Sequence, residues 1–117
     1  MQKSYRLQKN KQFQYVYRHG KNTVSRHLVL IYLPNKQLKI GFSVSKKVGN
    51  AVVRNKIKRR LREGIRPVLP ILKSGHYVII ARVSSSSASF QQLEKDLMYL
   101  LKKQSLFVSK EASFIHD

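Results

Sequence analysis

The sequence predicts an α+β fold, a small two-layer α/β sandwich with a sheet of three to four strands, and three patterns lead to it. In three segments apolar residues recur at helical spacing, as in helices packed on one side. Three others, RHLVLIYL, LKIGFSVS and GHYVIIARV, are rich in the β-branched and aliphatic residues of strands. Hydrophobic residues form 42% of the chain and are spread along it, which is enough for a core and excludes a wholly disordered basic protein. A chain of 117 residues fits one domain and not two, so residues 1–117 are read as a single unit.

The first helix is expected over residues 10 to 20, NKQFQYVYRHG. Asn10 is placed to cap it, Phe13, Val16 and Tyr17 share a face, and Gly20 stands where a helix stops. Residues 26 to 33 read as a strand and Pro34-Asn35 as a turn. In residues 38 to 45, Leu38, Ile40, Phe42 and Val44 alternate onto one face, so the two segments are expected to pair as a hairpin. After the loop KKVGN a charged helix runs to Pro67 and Pro70, which cannot continue its hydrogen-bond ladder. A third strand follows at residues 75 to 83. The polar connector SSSSAS then leads to a last helix. Ser89 and Gln92 have capping-box spacing there, and Phe90, Leu93, Leu97, Leu100 and Leu101 draw an apolar stripe. Beyond about residue 104 the pattern is weak and no structure is expected.

Charge divides the chain. There are 24 Lys and Arg against 5 Asp and Glu, a net charge of +19, and residues 1 to 62 hold 17 of the basic groups and no carboxylate. Such a field calls for a polyanion, and nucleic acid is the first candidate. The longest apolar run, LVLIYL at residues 28 to 33, falls far short of the ~20 residues that span a bilayer, so no membrane partner is expected. MQKSYRLQKNKQF lacks the apolar segment of a signal peptide, and the absence of cysteine removes disulfides and thiolate metal sites. A cytoplasmic location is the plain expectation.

The charge peaks in RNKIKRRLRE, residues 54 to 63, with six basic residues in ten. On a helical wheel Val53, Ile57, Leu61, Gly64 and Ile65 cluster on one arc, while Lys56, Lys58, Arg59, Arg60, Arg62 and Arg66 take the rest. Solvated helix faces commonly alternate charge; this one does not. Like charges at i,i+4, such as Lys58 and Arg62, destabilise a helix by about 0.2–0.5 kcal/mol per pair, so the face costs stability until an anion covers it. Arg54 falls within the apolar arc but in the first turn, from which it is expected to reach past the helix end. Free backbone N–H groups and the helix dipole favour phosphate there, and Gly49-Asn50 supplies a permissive turn.

No nuclease centre is evident. Glu63, Glu94, Asp96, Glu111 and Asp117 make no convincing metal-ligand set, and His19, His27, His76 and His116 are scattered. Neither a catalytic residue nor a metal site is expected on the protein.

SVSKKVGNAVVRNKIKRRLRE, residues 43 to 63, closely resembles the signature of the bacterial ribonuclease P protein subunit. FQYVYRHG and YVIIAR agree with its flanking parts, so the resemblance covers roughly residues 5 to 105. One departure is visible: the family's Arg-Asn-Arg stands here as Arg54-Asn55-Lys56, and lysine lacks the planar two-pronged donor of arginine. The resemblance implies a left-handed βαβ crossover within the sandwich. It implies a protein that binds a large catalytic RNA and the 5′ leader of precursor tRNA, assisting Mg-dependent endonucleolytic removal of that leader to give the mature tRNA 5′ end. On this reading Arg54, Asn55, Lys56, Lys58, Arg59, Arg60 and Arg62 contact the catalytic RNA. Phe13, Tyr17, Lys46, Lys47 and Arg82 belong to the leader cleft. Mg2+ is expected in the holoenzyme, bound mainly by RNA. Stacking on an aromatic face tolerates any base, which suits Phe13 and Tyr17 beside a basic groove; aromatic residues at i and i+4 are also common core pairs, and exposure separates the two. The alternative is a general RNA-binding protein, such as a ribosomal protein or RNA chaperone, with no role in cleavage.

Overall fold

A computed structural model describes residues 5–108. Along the chain run α1 (Asn10–His19), β1 (Lys21–Val24), β2 (Leu28–Leu33), β3 (Lys39–Val44), α2 (Ala51–Ile65), β4 (His76–Ala81) and α3 (Phe90–Lys103). Short 3-10 segments cover Arg66–Ile71, where Pro67 and Pro70 end α2 as expected, and Val83–Ser87. No helix among the described residues is long and apolar enough to cross a membrane.

The four strands form one sheet in the order β1-β2-β4-β3. The expected hairpin between β2 and β3 does not form, because β4 lies between them, antiparallel to β2 and parallel to β3. The cause lies in β4 itself. HYVIIA presents apolar side chains to both faces, with Tyr77, Val78 and Ile79 all 0% exposed, and only an interior strand buries both. Since β3 and β4 are parallel, the chain must cross over between them, and α2 with its 3-10 extension makes that connection.

β1 is an additional strand, paired with β2 from Lys21↔Tyr32 to Val24↔Val29. KNTV is short, and only Thr23 is buried, so local pattern gives little sign of it. A distant partner holds it: Gln104 Nε2 donates to Lys21 O at 2.9 Å and to Thr23 Oγ1 at 3.0 Å.

On one face of the sheet α2 and α3 enclose the main core, where Ile57, Leu61, Ile65, Leu93, Leu97, Leu100 and Leu101 meet Leu28, Leu30, Ile40, Tyr77 and Ile79. This is the two-layer sandwich. The other face carries, among the described elements, α1 over a smaller cluster of Leu7, Val16, Ile31 and Val78, with Phe13, Val29, Leu33 and Ile80 packed against it. Successive residues of β4 thus serve opposite layers. Inside the main core the Tyr77 hydroxyl donates to Lys73 O at 2.6 Å; burial, and then the nearby Tyr32, push its pKa well above the ordinary phenol value.

Helix ends are set locally. The α3 capping box forms, with the Gln92 N–H donating to Ser89 Oγ at 3.1 Å and the Ser89 N–H to Gln92 Oε1 at 2.9 Å. Asn50 caps α2 by accepting the Val53 N–H at 3.0 Å. Gly49 does not take a left-handed turn; among described residues the only positive-φ glycine is Gly75. Gly49 is needed for closeness, since a Cβ there would lie 2.8 Å from Val53 Cγ1. Asn10 is the first residue of α1 and not its cap, and Gln12 Oε1 instead accepts from Gln8 N–H at 3.3 Å and Lys9 N–H at 3.4 Å. The chain after α3 stays ordered further than its pattern suggests. Lys73 N–H donates to Leu106 O at 2.8 Å and Val108 N–H to Ile71 O at 2.7 Å, with Leu106 buried. The remainder of the tail, 109–117, lies outside the described residues.

One acid proves architectural. Asp96 Oδ2 accepts from Ser25 Oγ at 2.9 Å and from His27 N–H at 2.8 Å, tying the β1–β2 turn to α3. The Ser84 hydroxyl donates to Arg26 O at 3.0 Å, so His27 Nδ1, 2.9 Å from Ser84 Oγ, is the donor between them. Asp96→Ala leaves the His27 N–H without its acceptor and the Ser25 hydroxyl with only Leu28 O at 3.2 Å, and is expected to cost about 1–3 kcal/mol. Urea unfolding should show a lower midpoint at unchanged slope; an unshifted midpoint would remove this role from Asp96.

Candidate nucleic-acid interface

α2 displays its cations because a narrow apolar stripe, Ile57, Leu61 and Ile65, holds the opposite side against the sheet and α3. Asn55, Lys56 and Arg59 are exposed, and Lys58, Arg60 and Arg62 are half-buried at the borders of the stripe. On the outer side Asn55, Lys56, Arg59 and Arg62 line a shallow depression with Val52. Arg62 also takes part in a second groove, where it and Lys58 stand over Phe13, Gly41 and Phe42. Arg60 leaves the group: its Nη1 donates to Ala88 O at 3.1 Å and ties α2 to the connector before α3.

Arg54 occupies the first turn, half-buried, with its Nε enclosed and lacking a hydrogen-bond partner among the described residues. An enclosed donor without an acceptor costs about 1–3 kcal/mol, and an anionic oxygen brought to that guanidinium offsets the cost. The helix start it shares with the Asn50 cap is the positive end of the helix dipole.

The aromatic pair lies on the other side of β3. As an edge strand, β3 is covered along its rim, among the described residues, near Ile40, where Leu7 N–H donates to Ile40 O at 3.0 Å and Arg6 forms an isolated bridge. Farther along, a recess opens between α1 and β3. Asn10, Phe13, Gln14 and Tyr17 form one wall, Phe42, Ser43 and Val44 the other, and Lys58 of α2 enters as its cation. The Phe13 ring presses on Gly41, where a Cβ would lie 2.4 Å from Phe13 Cζ. Phe13 is therefore partly core and partly floor. Tyr17 is 39% exposed, with its ring centroid 6.4 Å from that of Phe13 and the planes tilted by 53°. Tyr17 belongs to the open side, and the core reading applies only to Phe13.

Lys46, Lys47 and Arg82 do not line this recess. They are exposed where β3 and β4 leave the sheet together, just past the pair Val44↔Ala81. Arg82 Nη1 donates to Ser25 O at 2.8 Å, which fixes part of its guanidinium against the β1–β2 turn. The structure thus brings Phe13 and Tyr17 together with Lys58, a residue grouped by sequence with the outer helix face, and sets three other cations beyond them.

Sequence reasoning missed the polar lining, Asn10, Gln14 and Ser43. A signal existed: Asn10, Gln14 and Tyr17 recur at i, i+4 and i+7, and Ser43 is the outward residue of an alternating strand. Among the described residues no three His, Cys, Asp or Glu side chains gather in a way that could hold a metal ion.

Comparison with known proteins points to a single group of relatives. A family model described as Ribonuclease P matches residues 1–105. The ribonuclease P protein component of Bacillus velezensis is 41% identical over 110 residues, covering 92% of this chain and 95% of that protein. Its counterpart in Streptococcus agalactiae is 42% identical over 104 residues, covering 87% and 95%. Among solved structures, the Staphylococcus aureus RNase P protein superposes with a TM-score of 0.85 at 36% identity, covering 90% of this chain and 99% of that one. The Thermotoga maritima RNase P protein gives 0.76 at 30% identity, covering 84% and 96%.

Proposed function

The chain belongs to the ribonuclease P protein family, and on that premise we propose that it binds the catalytic RNA through α2 and the 5′ leader of precursor tRNA in the recess between α1 and β3. The observation that carries the proposal is the position of Lys58 and Arg62. Through them the cationic face and the aromatic recess are adjoining sectors of one surface.

Each residue then has a physical task. Asn55, Lys56, Arg59 and Arg62 face phosphates of a folded RNA, with Lys56 acting as a point charge where a guanidinium would grip two oxygens. Arg54 offers its enclosed Nε, which has no hydrogen-bond partner among the described residues, to one more phosphate. Arg60 has a donor engaged by Ala88 O, so its part in RNA contact is smaller. Phe13 and Tyr17 supply faces for unpaired bases, which tolerates diverse leaders. Lys46, Lys47 and Arg82 extend the positive field past the end of the recess, toward the strand backbone.

The chemistry of cleavage is assigned to the RNA and its Mg2+, in an endoribonuclease whose protein subunit neutralises phosphate repulsion and positions substrate. Adding the protein to a bacterial ribonuclease P RNA at low Mg2+ is expected to raise the rate of precursor tRNA cleavage. No gain over RNA alone would reduce the protein to a general RNA-binding role. RNA-free protein is expected to be inactive on the same substrate, and metal-dependent cleavage persisting after nuclease treatment would point to a protein-only nuclease.

Two mutational outcomes separate the sectors. Arg54→Ala with Arg59→Ala should flatten the dependence of log K on log salt for RNA binding by about 0.7–0.9 per lost phosphate contact; an unchanged slope would move the RNA surface off α2. Alanine at Phe13 or Tyr17 should weaken holoenzyme binding of leader-bearing precursor by about 1–3 kcal/mol while sparing mature tRNA. Equal losses for both ligands would assign those rings to packing.

A further inference from the structure

The outward face of α1 carries an aromatic pair that neither core uses. Tyr15 is 59% exposed, and its ring lies against His19 one turn later, with centroids 4.4 Å apart and planes tilted by 43°. Neither residue belongs to the main core or to the smaller cluster beneath α1. Lys11, Gln14 and Arg18 complete the depression around them. The surroundings favour one kind of occupant. No acid occurs before Glu63 in the sequence, so two planar rings sit between cations with no carboxylate on their own helix. Stacking faces flanked by positive charge suit unpaired bases and their phosphates.

Gln14 gives the direction. It lines both this depression and the recess that holds Phe13 and Tyr17, so the two are contiguous across the width of α1. A strand leaving the recess over Gln14 arrives at the Tyr15 ring.

We propose that Tyr15 and His19, framed by Lys11 and Arg18, form a second stacking platform for single-stranded RNA, which carries the leader path from the recess onto the outer face of α1. The inference rests on leader binding in the recess. A leader that ends inside the recess gains nothing from the platform, whereas a longer one gains a further stacked base.

The test uses holoenzyme reconstituted with the catalytic RNA, and precursor tRNAs with leaders of about five and about fifteen nucleotides beside mature tRNA. Wild-type protein is expected to bind the longer leader about fivefold more tightly than the shorter, a typical effect of one stacked base. Tyr15→Ala with His19→Ala should abolish that gain and change short-leader and mature tRNA affinity by less than about twofold, while Tyr15→Phe retains the gain. A 2-aminopurine in the distal leader should be quenched by wild-type protein and not by the double variant. Undiminished long-leader affinity in the double variant overturns the platform. So does the absence of any gain from lengthening the leader, or an equal loss on all three ligands, which would assign the rings to the catalytic RNA. Failure of the recess reads out separately, as unchanged short-leader affinity in Phe13→Ala and Tyr17→Ala proteins.

Discussion

Burial of three aliphatic side chains is what allows the rest of this molecule to exist. α2 carries six cations in fifteen residues, and like-charge neighbours along a helix each cost about 0.2–0.5 kcal/mol. Against this, Ile57, Leu61 and Ile65 are almost wholly buried, and each such burial contributes about 1.5–3 kcal/mol. Packing exceeds repulsion, so the helix forms without an anion and holds its charge in place. A loop with the same composition would spread its charges apart. The sheet and α3 act as the clamp that keeps a repulsive surface in one shape.

The recess depends on the same sheet by a different route. β4 must be interior because both its faces are apolar, and that displaces β3 to the rim. A rim strand has one side open to other segments, and among the described residues α1 with the Leu7 segment covers it only partly. The gap left over is where Phe13, Tyr17, Ser43 and Lys58 converge. An aromatic floor beside a basic helix thus follows from strand order. Arg62 lines the outer depression and shares a groove with Lys58, which lines the recess, so occupation of one sector changes the field felt by the other.

Much of the fold was legible in the sequence where the signal was local. The periodicity of α2 and α3, the Ser89–Gln92 capping box and the two prolines after α2 are interactions within a few residues, and each formed as the pattern required. Strand pairing was not legible from alternation in β3. That pattern identifies a buried face without naming the neighbour, and the deciding clue was the two-sided apolar run Tyr77–Val78–Ile79. β1 escaped because its four residues carry little pattern of their own, and beyond its ladder with β2 it is tied down by Gln104, far along the chain. At the site, the helical wheel identified the cationic surface, but it could not tell that Arg60 turns to Ala88 or that Lys58 faces the aromatic recess. Both depend on what packs beside α2.

The place of β4 in the sheet also bears on how the protein is made. It is the last strand in sequence and an inner one in space, so β2 and β3 emerge from the ribosome with no strand to join them until residue 81 has itself emerged. By then the acid-free stretch and the whole of α2 have already left the exit tunnel unsupported. Sheets closed by distant segments form late, because loop closure precedes any gain from contact. The nascent chain therefore presents its most cationic half as loose polymer, in a compartment crowded with RNA, before the strand that gives that half its shape has arrived.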